Sequence, residues 1–168
     1  LNELGRTKEA INHYLQALRI KPDHEEAHYN LGNALSEQGH VKEALNHYLQ
    51  ALKIKPDYVD AHNNLGLALK QQGRLDQAAE HFSQALRIDP NYFKAHNNLG
   101  ITFAKLGCLD KAIYHFSKAL RIKPDLTLVH NNLGMAYVKQ GRIDEAIEQY
   151  QYILRDQPNN APVYLNIG

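Results

Sequence analysis

Residues 25–58 read EEAHYNLGNALSEQGHVKEALNHYLQALKIKPDY, and the landmarks of this stretch return after every 34 residues. Its Gly32 is followed by Gly66, Gly100, Gly134 and Gly168 without a slip. Pro22, Pro56, Pro90, Pro124 and Pro158 keep the same step, as do Gly39, Gly73, Gly107 and Gly141. So do Ala10, Ala44, Ala78, Ala112 and Ala146, and an aromatic column of Tyr14, Tyr48, Phe82, Phe116 and Tyr150. A fixed period of this size is the mark of a stacked-repeat protein. Within one period, His28, Leu31, Gly32 and Leu35 space an apolar stripe for a first helix, and Gly39 stands where a left-handed cap ends it. Val41, Ala44, Leu45, Tyr48, Ala51 and Leu52 space the stripe of a second helix, which Pro56 follows. One such hairpin leaves an apolar face bare, so a core requires stacking against neighbours.

Working outward, full units cover 25–58, 59–92, 93–126 and 127–160, with partial units at 1–24 and 161–168. Both ends fall inside a unit, so the chain reads as a single array and a piece of a longer one. Composition agrees with a packed protein: 43% of the 168 residues are hydrophobic and the formal net charge is +1. A disordered chain has fewer apolar residues and more net charge. A nucleic-acid binder shows a basic excess, so no nucleic acid is expected as partner. No run of 18 apolar residues exists, and no membrane role is expected. A lone Cys108 and no Asn-x-Ser/Thr site favour a cytoplasmic home.

Leu31, Gly32, Ala44, Tyr48, Ala51 and Pro56, repeated along the chain, resemble the tetratricopeptide repeat. The resemblance implies an all-α, right-handed superhelical solenoid of 34-residue helix-turn-helix repeats, with first helices lining a hollow and second helices outside. It implies a protein or peptide partner held in that hollow.

On the side of the first helix away from its stripe, one column is invariant: Asn30, Asn64, Asn98, Asn132 and Asn166. Asparagine is a mediocre helix former, costing about 0.5 kcal/mol relative to alanine, so propensity gives no reason to repeat it. A carboxamide offers both donor and acceptor and can pair with the N–H and C=O of a passing peptide. The column thus reads as a ladder for an extended main chain. Asparagines copied with the repeat, or bonded to a neighbouring helix, are the other reading. Asn63, Asn97 and Asn131, with Tyr29 in the first unit, flank the ladder and widen the polar track, and Leu67, Ile101 and Met135 lie one turn further along. The hexapeptide Ala-His-Asn-Asn-Leu-Gly, at 61–66 and 95–100, is similar to the repeats of O-linked N-acetylglucosamine transferases. That similarity implies the substrate-recruiting part of such an enzyme. Asn33, Asn64 and Lys94 match the co-chaperone clamp that grips acidic tails, but Tyr29 and Asn98 stand where that clamp has cations.

No catalytic residue, metal site or cofactor is expected. His24-Glu25-Glu26-Ala27-His28 spells a zinc-protease motif, but later units lack the first histidine. His28, His62, His96 and His130 recur as packing positions, with hydrogen bonds between units, and His13, His47, His81 and His115 are expected on a semi-exposed flank. Arg19, Lys53, Arg87, Arg121 and Arg155 close the second helices against their dipoles. Because the last partial unit nearly continues into the first, head-to-tail self-association is also expected.

Overall fold

The computed structural model describes residues 2–156, 158, 159 and 163, and among these all regular structure is helical. The helices are α1 (Asn2–Ile20), α2 (Glu25–Glu37), α3 (Val41–Ile54), α4 (Val59–Gln71) and α5 (Leu75–Ile88). They continue as α6 (Phe93–Lys105), α7 (Leu109–Ile122), α8 (Thr127–Lys139) and α9 (Ile143–Asp156). The chain divides into two compact units, Leu1–Pro90 and Asn91–Gly168. In the first, α2 pairs with α3 and α4 with α5, while α1 packs on α2 and α3 on α4. In the second, α6 pairs with α7 and α8 with α9, and α7 packs on α8.

Each hairpin turns on a glycine such as Gly39, whose φ of 80° is strained for any residue with a Cβ. The second helices bury one narrow stripe, Ala44, Leu45, Tyr48 and Ala51 in α3 and Ala78, Phe82 and Ala85 in α5. The first helices bury more: α2 hides Ala27 and Ala34 besides Leu31, Gly32 and Leu35. The stripe read from the sequence is therefore only part of the face a first helix covers, because it packs on its own partner and on the preceding hairpin as well.

The tightest contact in each hairpin is an aromatic ring lying on a glycine. A Cβ added to Gly66 would stand 2.6 Å from Cε1 of Phe82, a ring with no solvent exposure. Gly32 meets Tyr48, Gly100 meets Phe116 and Gly134 meets Tyr150 in the same way. A fully buried aromatic contributes roughly 1.5–3 kcal/mol, and only a bare backbone lets the ring sit this close. Alanine at position 66 would gain about 1 kcal/mol of helix propensity but would force the ring out of its seat, an overpacking cost of about 1–3 kcal/mol. We expect Gly66→Ala to lower stability in urea denaturation. Combining it with Phe82→Leu should cost less than the sum of the two single changes, and an additive pair would show that ring and glycine do not touch in solution.

Candidate functional site

In the first unit, four of the polar residues singled out in the sequence meet in one network between α2 and α4. Asn64 donates from Nδ2 to the Asn33 Oδ1 at 2.9 Å and to the Tyr29 hydroxyl at 3.1 Å. Its own Oδ1 accepts from Asn63 Nδ2 at 3.1 Å. Asn33 Oδ1 also accepts from the hydroxyl of Tyr48 at 2.9 Å, which ties the network to the ring seated on Gly32. Tyr29 stacks on Tyr58 with centroids 4.8 Å apart. The first-helix side of this unit opens into a hollow of about 640 Å³ whose lining includes Asn33, Glu37, Asn64, Leu67 and Gln71.

The expectation of an open, uncommitted ladder therefore needs correction at particular rungs. Asn64 has both N–H groups committed to the neighbouring first helix, so what it presents to the hollow is limited to oxygen. Asn63, expected to widen the polar track, is instead buried, 3% exposed, and Asn98 is also buried, at 9%. Asn97 is half-buried, with Oδ1 sealed from solvent and unbonded among the described residues. Asn30 and Asn132 are half-buried and carry no side-chain hydrogen bond among the described residues. Asn131 reaches from Nδ2 to Met135 Sδ, a long contact of 3.6 Å. Lys94 is exposed, with Nζ 5.8 Å from the Tyr92 ring centre. Asn166 lies outside the described residues.

Asn132 stands at the rim of a cavity of about 180 Å³ in the second unit, together with Ile101, Lys105, Phe116, Met135 and Lys139. Met135 is 43% exposed, whereas Leu67 and Ile101 are half-buried, so only the methionine fully meets the expectation of an exposed apolar column. The lysine pair was not singled out from the sequence. Its signal was a column five residues beyond the first-helix glycine, where Glu37, Gln71, Lys105 and Lys139 change charge along the chain.

The family model described as TPR repeat matches residues 1–39, 32–73 and 68–107, and those described as tetratricopeptide repeat match 93–126 and 127–160. The chain belongs to the tetratricopeptide-repeat family. No curated protein sequence is significantly similar to it. Among solved structures, that of MamA superposes with a TM-score of 0.86 at 25% identity, covering 94% of this chain and 92% of that one. TTC0263, a thermophilic TPR protein of Thermus thermophilus, gives 0.73 at 29% identity, covering 99% and 91%. YrrB, described as a TPR protein with an unusual peptide-binding site, gives 0.81 at 22% identity, covering 98% and 85%. The fold is thus the all-α tetratricopeptide solenoid, and the family is one of protein-interaction scaffolds. Among the described residues no helix is long and apolar enough to cross a membrane, and no three His, Cys, Asp or Glu side chains are placed to hold a metal.

The tetratricopeptide hairpins carry a second polar system, built on histidine. His28 Nδ1 lies 3.0 Å from His47 Nδ1, His62 pairs with His81 at 3.1 Å, and His96 with His115 at 3.0 Å. These Nδ1 bonds run within a hairpin, and the semi-exposed flank residues His47, His81 and His115 are their half-buried partners, while the bonds between units expected from the sequence are made through Nε2. The other nitrogen of His28, Nε2, faces the Pro22 carbonyl at 3.0 Å, and that of His62 faces the Pro56 carbonyl at 2.9 Å. A neutral His28 donates from Nε2 to that carbonyl, which leaves Nδ1 to accept from His47. One proton gained by such a pair can still be held as N–H···N, whereas charging both rings would set N–H against N–H. Burial, and then the facing His62, push His81 down to about 4, with Arg74 acting in the same direction. Burial and then His96 do the same to His115, also to about 4.

A depressed folded value means that the unfolded chain binds more protons between about 4 and 6.5, so this part of the stability is complete above 6.5 and is lost as pH falls. In the last hairpin the partner of His130 is Gln149, at 2.9 Å. We expect the melting temperature to fall from pH 6.5 towards pH 4, and to fall less in the double variant His81→Gln, His115→Gln. Identical pH profiles for parent and variant would remove the pairs as the cause.

Proposed function

We propose that this tetratricopeptide protein is an interaction scaffold that holds an extended segment of a partner protein along its first helices, without chemistry of its own, and works in the cytoplasm. The observation that supports this most directly is Asn132: a half-buried carboxamide with no side-chain hydrogen bond among the described residues, beside an open cavity lined by Ile101 and Met135. A main-chain amide reaching Asn132 gains a donor and an acceptor, while an adjacent side chain leaves water for the cavity. Asn30, also half-buried and without a side-chain hydrogen bond among the described residues, offers a similar carboxamide in the first unit. Asn64 serves the scaffold first, by bracing α2 against α4, and the buried Asn98 likewise offers a peptide less. A role as recruiting region of a glycosyltransferase rests on the Ala-His-Asn-Asn-Leu-Gly hexapeptide, and a sugar-nucleotide domain elsewhere in the full-length protein would establish it.

A second reading, assembly through the outer face, is supported by a groove of about 520 Å³ among α3, α4 and α5. Leu45, Leu49, Leu65 and Leu69 line it, and Leu49 is 49% exposed. The end-to-end packing expected from the sequence involves residues 161–168, of which only 163 is described.

The two classes of asparagine should separate experimentally. Asn132→Ala should leave helicity and melting unchanged and weaken a captured peptide several-fold. Asn64→Ala removes two inter-helix donors and should cost about 1 kcal/mol or more of stability. Unaltered peptide capture by Asn132→Ala would reject the ladder reading. For the outer face, Leu49→Asp should abolish any dimer seen by sedimentation velocity, and a monomeric parent chain at high concentration would reject that reading.

A further inference from the structure

The first helices of the second unit are cationic without relief. Among α6 and α8 the charged residues are Lys94, Lys105 and Lys139, and there is no Asp or Glu. In the first unit α2 carries Glu25, Glu26 and Glu37 and no cation. A lysine in a last turn complements the helix dipole. That explanation does not suffice, since α2 ends on Glu37 at the equivalent place. Neither Lys105 nor Lys139 has an ion pair or hydrogen bond among the described residues, and both are exposed. They stand at the rim of the cavity that Asn132, Ile101 and Met135 line.

Along α8 the order is amide, thioether, cation: Asn132, Met135 and Lys139, one turn between each and the next. One turn advances about 5.4 Å. In an extended peptide, side chains two residues apart share a face and lie about 6.6 Å apart. The cavity of about 180 Å³ suits one side chain of leucine or methionine size, since a dry cavity of about 150 Å³ holds benzene. Met135 is flexible enough to mould itself around it.

Resting on the peptide-groove reading above, we propose that the second unit selects extended acidic peptides in which an aliphatic side chain is followed or preceded, two residues away, by an aspartate or glutamate. The aliphatic group enters between Ile101 and Met135, the carboxylate sits between Lys105 and Lys139, and the intervening main chain lies within reach of Asn132. The lysines act through charge, so recognition weakens with salt. They also repel basic segments, which supplies the discrimination against the wrong partner.

The test uses the whole chain and three sets of fluorescein-labelled peptides of about a dozen residues. All carry a leucine in a serine-glycine background, and they differ only in whether the position two residues away is aspartate, serine or lysine. Fluorescence anisotropy should rank them aspartate, serine, lysine. Lys105→Glu with Lys139→Glu should weaken the aspartate set by about tenfold or more and favour the lysine set, as reversal of a steering pair does. Both lysines are exposed, so the fold should tolerate the change, and unchanged circular dichroism checks this. Peptides bound equally whatever their charge, yet weakened by Asn132→Ala, would overturn the acidic selectivity and leave the groove reading standing. Binding of none of the three sets by the parent chain would reject both.

Discussion

Each described hairpin of this protein is closed by an aromatic ring resting on a glycine of the opposite helix. The Gly32–Tyr48, Gly66–Phe82, Gly100–Phe116 and Gly134–Tyr150 seats leave no room for a methyl group. They therefore fix how close the two helices come, and with that the placement of everything on the first-helix surface. Tyr48 shows the link most directly. Its ring fills the core while its hydroxyl reaches Asn33, and Asn33 in turn accepts from Asn64 on the next first helix. Packing inside the hairpin and polar order on the first-helix side are thus one connected structure in the first unit.

The fold was legible because its determinants are local and repeated. The glycine at the turn, the glycine under the ring, the alanines and the proline each have one physical reason to be there, and repeated copies of the reason make it audible. The site was legible only in part. The 34-residue column marked out the asparagines but could not tell an unbonded amide from a bracing one, since that depends on what lies across the helix–helix gap. Tyr29 opposite Asn64 consumes a donor, and nothing equivalent reaches Asn132 among the described residues. The pairing of the histidines was not legible for a related reason. Periodicity located both columns, yet only the hairpin geometry brings His28 against His47 and His62 against His81.

Repetition also explains why departures from it are informative. Where all copies agree, as at the aromatic seats, the residue serves the scaffold. Where the copies diverge at one register, as from Glu37 through Gln71 to Lys105 and Lys139, the scaffold is indifferent and the difference is available for recognition. The invariant asparagine column sits between these cases, shared by scaffold and surface in proportions that vary from helix to helix.

The ring-on-glycine seat also bears on how the chain acquires its structure. Gly66 and Phe82 are sixteen positions apart, so closing the seat costs little loop entropy, and proteins dominated by such short-range closures reach the native state quickly. No such hairpin has to wait for a distant segment to arrive. Nucleation is therefore open to any of them, and growth proceeds by adding neighbours, as in a one-dimensional lattice.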